Sequence, residues 1–141
     1  MALFDSHTHL FAPWQVANRA ALCAADATFA ELYTDERAKL ATAEDLVEAM
    51  RAAGLDGAVA AGFAFTHERE LAQQNEYLVH AAKREAGIVA LATVNPAIAG
   101  WEGAARSWVA AGARGFGELR PYNQGWDPLG RQGKALCALA A

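Results

Sequence analysis

Two histidines near the start of the chain have the type and spacing that could bind a metal ion. They lie in the segment Asp5-Ser6-His7-Thr8-His9. Because side chains alternate between the two faces of a strand, the rings of His7 and His9 point the same way, and Asp5 falls on that face one step deeper. Two neutral imidazoles on one face can bind one divalent ion, and zinc favours such ligands. The alternative is two partly solvated histidines at a strand end.

The segment before this motif is apolar and predicts a first strand from Ala2 to Asp5, with the histidines at its C-terminal end. In parallel α/β folds, ligands gather at that end of the strands. Strands and helices then alternate along the chain, which implies a parallel sheet in the order 1-2-3-4 with helices on its outer face. The further predicted strands are 57–61, 88–94 and 114–119, and the predicted helices are 42–54, 68–85, 101–111 and 130–141.

The connection after the first strand, about residues 10–41, is too long for a simple loop between a strand and a helix. It contains an apolar stretch from Ala27 to Tyr33, and Asp26 is placed to cap a helix there. An insertion at this end of a sheet is typical of a lid or a substrate wall. The alternative is an extra helix that only packs against the fold.

Length and composition indicate one soluble globular unit of 141 residues. The net charge of −4 and the pI near 5.5 argue against binding to nucleic acid or an anionic membrane. No apolar run is long enough to span a bilayer, and Met1 leads straight into the first strand, without room for a signal peptide. Cys23 and Cys137 lack a disulfide or CxxC pattern, which predicts reduced, buried thiols and a cytoplasmic protein.

Four segments together resemble the amidohydrolase superfamily, specifically its amidohydrolase-related branch of metal-dependent hydrolases and decarboxylases. They are Phe4–Leu10, Asn75–Leu78, Ala92–Pro96 and Gly112–Phe116. The resemblance implies a (β/α)8 TIM barrel with a metal at the C-terminal ends of its strands. Four strands correspond to the first four β/α units, so residues 1–141 are expected to form the N-terminal half of a single barrel domain. The uncapped helical run 135–141 is typical of a fragment.

The resemblance also implies a role for Glu118, which closes the predicted fourth strand. In the superfamily this strand end often carries a lysine or glutamate that bridges two metals, and the position resembles the glutamate of related metal-dependent deoxyribonucleases. Glu118 is therefore expected to ligate a metal or hold a water. The alternative is an ion pair with Arg114 or Arg120. Arg120, on the same rim, could clamp a substrate carboxylate through two hydrogen bonds, or could simply be solvated.

Other polar and aromatic side chains are weaker candidates for this site. For His67 a solvent-facing position at a helix start competes with a role near the site, and His80 is expected to be structural, as are Trp101 and Trp108. Residues that could line a pocket or contact substrate are Trp14, Tyr122, Asn123, Gln124 and Trp126.

The function predicted from these observations is a metal-dependent hydrolase, most simply with zinc, that uses a metal-activated water on a small-molecule amide or ester-like substrate. One alternative is a metal-dependent decarboxylase of a small carboxylic acid, for which Arg120 would suit the carboxylate. Another is a non-catalytic half-barrel. Half a barrel exposes strand edges and an apolar inner face, which predicts a homo-oligomer or association with the missing half.

Overall fold

The computed structural model describes residues 2–141 as an α/β fold. Within that range a three-stranded parallel sheet in the order β1-β2-β3 is flanked by eight helices. The strands are β1 (Phe4–His9), β2 (Gly57–Ala61) and β3 (Ile88–Ala90). The helices are α1 (Pro13–Ala17), α2 (Arg19–Ala25), α3 (Ala27–Tyr33), α4 (Ala43–Ala53), α5 (Glu68–Arg84), α6 (Trp101–Ala111), α7 (Pro121–Gln124) and α8 (Arg131–Ala140).

The main core lies between one face of the sheet and helices α4 and α5. The central strand β2 contributes Ala58 and Ala60, both 0% exposed, and their small side chains let the helices approach closely. Leu46 and Met50 from α4 and Leu78 from α5 fill this layer. Because β1 pairs with β2 and β2 with β3, both in parallel, the predicted order and direction of the first three strands are confirmed.

Helix α4 shows that its end signals act as the sequence predicts. The Thr42 hydroxyl accepts a hydrogen bond from the backbone N–H of Asp45, and the Asp45 carboxylate accepts one from the N–H of Thr42 at 2.8 Å. Gly54 ends the helix at φ 66°, a left-handed conformation that glycine adopts without strain. The bounds of β2 and α6 also agree with prediction.

Two strand boundaries differ from prediction. Strand β1 runs from Phe4 to His9 rather than from Ala2 to Asp5, so both histidines lie within the strand. Strand β3 ends at Ala90 rather than at Val94. Beyond Ala90, Ala92 makes one isolated bridge, and the backbone N–H and C=O of Thr93 are both bonded by the Asn75 side chain, at 2.9 and 2.8 Å, and so do not join a strand ladder.

The predicted fourth strand, and with it the TIM-barrel fragment, is wrong. Segment 114–119 makes one isolated parallel bridge, Ala92 to Phe116, beside the three-stranded sheet. Gly115 and Gly117 provide no side chains, which weakens a strand, and Leu91 lies against both glycines. An open sheet of three strands is an α/β fold but not four units of a barrel, which closes through eight strands.

The insertion folds into the short helices α1, α2 and α3 over a second, aromatic core. The Asp26 side chain accepts a hydrogen bond from the Phe29 N–H at 2.9 Å, so the predicted cap is confirmed. Phe29 is 0% exposed and stacks on Phe65 with ring centroids 5.5 Å apart. Because Phe11 and Phe63 in the same cluster follow β1 and β2, the insertion packs at the C-terminal end of the sheet.

Two other properties follow from the helices and the cysteines. None of the helices in residues 2–141 has the combined length and apolar character needed to cross a bilayer. Both cysteines are free thiols, but Cys137 is exposed on α8, so its predicted burial is wrong.

Candidate metal centre

His7, His9 and Glu118 converge at the C-terminal end of β1. The Nε2 atoms of His7 and His9 lie 3.0 Å apart. Oε2 of Glu118 lies 3.9 Å from Nε2 of His7 and 3.7 Å from Nε2 of His9. Each residue thus offers one ligand atom, and all three atoms lie within 4.8 Å of one another.

The His9 ring is oriented by a backbone carbonyl. Its Nδ1 lies 3.0 Å from the carbonyl oxygen of Gly62, and because a carbonyl can only accept, Nδ1 donates. In the neutral ring the proton is therefore on Nδ1, and Nε2 presents a lone pair toward His7 and Glu118. Metal-binding histidines are commonly oriented in this way, by a hydrogen bond from the nitrogen that does not bind the metal.

His7 is the open side of the cluster. Its side chain is 70% exposed, whereas those of His9 and Glu118 are 29% and 31% exposed. Asp5, predicted to share the histidine face, instead accepts a hydrogen bond from the backbone N–H of His7 at 3.0 Å. The strand pairing shifts register between Asp5 and Thr8, which interrupts the strict alternation on which that prediction relied.

Glu118 reaches the cluster from the opposite edge of the sheet, on the same face as the histidines. The carbonyl oxygen of the preceding residue, Gly117, accepts a hydrogen bond from the hydroxyl of Thr93 at 2.9 Å, which holds the segment beside β3. Among the described residues, the ion pairs of Glu118 are with the two histidines and not with Arg114 or Arg120. The arrangement therefore differs from the arginine ion pair that the sequence left open.

The three side chains suit a divalent transition metal. In a tetrahedral site with bonds of about 2.1 Å, ligand atoms lie about 3.4 Å apart, and the observed separations of 3.0, 3.7 and 3.9 Å bracket that value. Two imidazoles and one carboxylate form a typical donor set for zinc. Three protein ligands also leave a coordination position for water or substrate, as catalytic zinc sites do.

A cleft of about 160 Å³ adjoins the cluster. His7 and Glu118 contribute its polar wall, and Val59, Ala61 and Leu91 contribute apolar surface from the sheet. A small molecule bound there would lie beside the ligand atoms. The cleft is on the sheet face that the main core leaves open.

Arg120 and Tyr33 lie close enough to this region to interact electrostatically. Burial raises the pKa of the Tyr33 phenol above its ordinary value of 10.0, the Glu118 carboxylate raises it further, and the Arg120 guanidinium lowers it. Nη1 of Arg120 is buried and has no hydrogen-bond partner within residues 2–141. The sequence did not single out Tyr33, because it lies in an apolar helix and only tertiary packing brings that helix to the site.

A buried glutamine beside the cluster was also missed. Gln74 on α5 is 0% exposed and bonds to the backbone of Phe63, next to the Gly62 that orients His9. A signal was present in the sequence. Gln74 lies three residues after Leu71 and four before Leu78, on the buried face of the helix, where a polar residue must have partners.

The remaining candidates take structural or exposed positions. Gln124 is buried and donates to the carbonyls of Phe65 and Val94, and Trp126 is buried in the core. Asn123 donates to the hydroxyl of Thr28 in α3. The other predicted candidates divide by exposure: His67, His80 and Tyr122 are exposed, while Trp14, Trp101 and Trp108 are half-buried.

Comparison with known proteins adds no relative. No protein-family model, curated protein or solved structure matches this chain.

Proposed function

We propose that this protein is a metal-dependent hydrolase that uses a metal-activated water on a small-molecule amide or ester-like substrate. The observation that carries the proposal is the convergence of His7, His9 and Glu118 within 4.8 Å. The resemblance of the surrounding motifs to the amidohydrolase-related branch supports the same chemistry. The ligand cluster itself does not depend on the barrel prediction, because it requires only β1 and the segment beside β3.

The chain's own residues have separable roles in this proposal. His9, oriented by Gly62, presents a fixed Nε2, and the exposed His7 provides a second nitrogen on the solvent side. The Glu118 carboxylate supplies negative charge that offsets part of the charge of a divalent cation. A zinc ion bound there would lower the pKa of its water toward neutrality.

The substrate class follows from the cleft. Its volume of about 160 Å³ suits a small group rather than a polymer, and its apolar wall includes Val59 and Leu91. Apolar surface beside a polar centre is typical of small-molecule sites. We therefore place the scissile bond beside His7 and Glu118, with an apolar substituent against the sheet.

A second candidate, a metal-dependent decarboxylase of a small carboxylic acid, is favoured by Arg120. The buried Nη1 without a partner in the described range is a hydrogen-bond donor suited to a carboxylate. An Arg120→Lys variant distinguishes the candidates. We expect it to impair turnover of a carboxylic acid far more than hydrolysis of an uncharged ester, because lysine cannot make the two parallel bonds of a guanidinium.

The decisive experiment is elemental analysis after incubation with zinc and gel filtration. Wild-type protein should carry one stoichiometric metal ion, and the His7→Ala/His9→Ala double variant should carry none. His80→Ala, which removes an exposed histidine from α5, is the matched control and should retain the metal. Equal metal content in the double variant and in wild type would contradict the assignment.

Activity assays on the metal-loaded protein then separate the functions. Hydrolysis of chromogenic small esters or amides supports the hydrolase, and release of CO₂ from small carboxylic acids supports the decarboxylase. Stoichiometric metal with neither activity would favour the non-catalytic alternative.

A further inference from the structure

Gln74 is fully buried, where a polar side chain is costly unless it is bonded. It is 0% exposed on α5, on the face that also buries Leu71 and Leu78. A buried carboxamide is unfavourable unless its donors and acceptors are satisfied, and an apolar residue of similar size would avoid that requirement. The partners of Gln74 therefore indicate what its polarity is used for.

One set of bonds leads to His9. Oε1 of Gln74 accepts from the N–H of Phe63 at 2.6 Å, and Nε2 donates to the C=O of the same residue at 2.9 Å. Gly62 precedes Phe63, and its carbonyl orients the His9 ring. A Cβ on Gly62 would overlap Cδ of Gln74, so the carboxamide packs directly on this backbone. The position of the orienting carbonyl thus depends on Gln74.

A second set leads to Glu118, and apart from these two sets Oε1 of Gln74 also accepts a bond from Nε2 of the buried Gln15 at 3.3 Å. Nε2 of Gln74 donates its second proton to the hydroxyl oxygen of Thr93 at 3.4 Å, and that hydroxyl donates its own proton to the C=O of Gly117 at 2.9 Å. Gly117 immediately precedes Glu118. The directions are consistent, because each proton has one acceptor. Asn75 fixes the Thr93 backbone on both sides, which leaves its hydroxyl in a defined place.

We infer that Gln74 is a positioning residue of the metal centre, which ties the backbone that orients His9 to the backbone that carries Glu118. The inference rests on the proposed metal binding. Its basis is that one buried side chain bonds toward both ligand-bearing segments, which lie on opposite sides of the site. Residues that hold metal ligands in place commonly affect metal affinity without touching the ion.

The first test replaces Gln74 by methionine, which keeps similar volume and removes both polar groups. Titration with Co²⁺, followed by its visible absorption, should show affinity weakened about 10- to 100-fold relative to wild type. Gln73→Met, the same substitution at the exposed neighbouring position on α5, is the control. Its affinity should change by less than about twofold, because surface substitutions outside such bonds have small effects.

A second pair of variants tests, by a smaller change, the bonds that lead from Gln74 through Thr93 to the backbone before Glu118. Thr93→Val removes the hydroxyl with little change in shape, and Thr93→Ser retains it. We expect Thr93→Val to weaken Co²⁺ affinity and alter the absorption spectrum. Thr93→Ser should keep the affinity and spectrum of wild type. This pair also keeps the inference testable if the Gln74→Met protein does not fold.

A readout without metal separates this inference from the proposed function. Nitrogen-15 NMR of the His9 ring should show the proton on Nδ1 in wild type and a mixture of tautomers in Gln74→Met. If wild type binds no metal but this shift occurs, metal binding is wrong and the positioning role stands. If wild type binds Co²⁺ while folded Gln74→Met and Thr93→Val show unchanged affinity, spectrum and tautomer, the positioning role is overturned.

Discussion

The carboxylate of Glu118 approaches Nε2 of His9 to 3.7 Å although β2 and β3 lie between their backbone segments in the sheet. The two side chains meet over the small residues and short apolar side chains of the central strands, and the cleft beside them has Val59 and Ala61 in its wall. If His7, His9 and Glu118 bind a metal as proposed, the affinity for that metal should be sensitive to changes at both edges of the sheet.

Removal of the Glu118 charge should weaken metal binding while preserving shape. We expect Glu118→Gln to lower zinc affinity at least about tenfold, or about 1.4 kcal/mol, because a neutral amide is a poorer ligand for a divalent cation. Isothermal titration calorimetry measures the effect. Glu102→Gln, an exposed change on α6, should bind zinc as wild type does. Equal affinities in the two variants would exclude Glu118 as a ligand.

Two glycine-to-alanine changes should have opposite effects on stability. At Gly62 the added methyl would overlap the Gln74 carboxamide, so Gly62→Ala should lower the free energy of unfolding by about 1–3 kcal/mol. At Gly103, within α6, the methyl meets open space, so Gly103→Ala should raise it by about 0.5–1 kcal/mol. Urea denaturation measures both. A stabilising Gly62→Ala would show that the loop after β2 is not packed as described.

Because Asp45 belongs to the capping box of α4, the free energy of unfolding should depend on pH under acidic conditions. A hydrogen bond and ion pair with Lys39 is the largest cause that lowers the pKa of Asp45 from 3.8 to about 2, and hydrogen bonds from Thr42 add to it. A group whose pKa is lowered by folding stabilises the folded state above its unfolded pKa, and this contribution is lost as pH falls through the folded value.

Wild type should therefore exceed Asp45→Asn in stability at pH 5–7, and the difference should disappear as pH falls from about 4 to about 2. Thermal denaturation across this range provides the measurement, with the exposed Glu48→Gln on the same helix as control. A difference that stays constant down to pH 2 would contradict this assignment. Independently, Thr42→Ala should cost about 0.5–2 kcal/mol at neutral pH, as loss of an N-cap does.

The aromatic core beneath the insertion should depend on Phe29. Its ring centroid lies 4.7 Å from that of Tyr33 and 5.1 Å from that of Phe63, and the residue is 0% exposed. Phe29→Ala should lower the free energy of unfolding by about 3–5 kcal/mol through lost burial and the cavity left behind. Leu32→Ala on the same helix, at a side chain 48% exposed, should change it by less than about 0.5 kcal/mol. Similar losses in both would mean that α3 is not anchored through Phe29.

Local signals in the sequence were enough to predict the features that depend only on residues close together in the chain. The capping box at Thr42, the left-handed Gly54 and the Asp26 cap all act within a few residues, and hydrophobic spacing defined α5 and α6. The shared direction of His7 and His9 was equally local, because both rings lie two residues apart on one strand. The order of the first three strands followed from the alternation of strands and helices along the chain, because consecutive parallel strands usually lie side by side.

Tertiary structure alone decided what joins distant segments. Sheet closure depends on how many strands pair, and the glycines of segment 114–119 leave one bridge where a fourth strand was predicted. The bonds of Gln74 to Phe63 and Thr93, and the proximity of Tyr33 to Glu118, arise between residues far apart in the chain. Residue type and spacing therefore determined which groups could do chemistry, while packing decided which of them meet, because hydrogen bonds and desolvation act over a few ångströms in space whatever the separation in sequence.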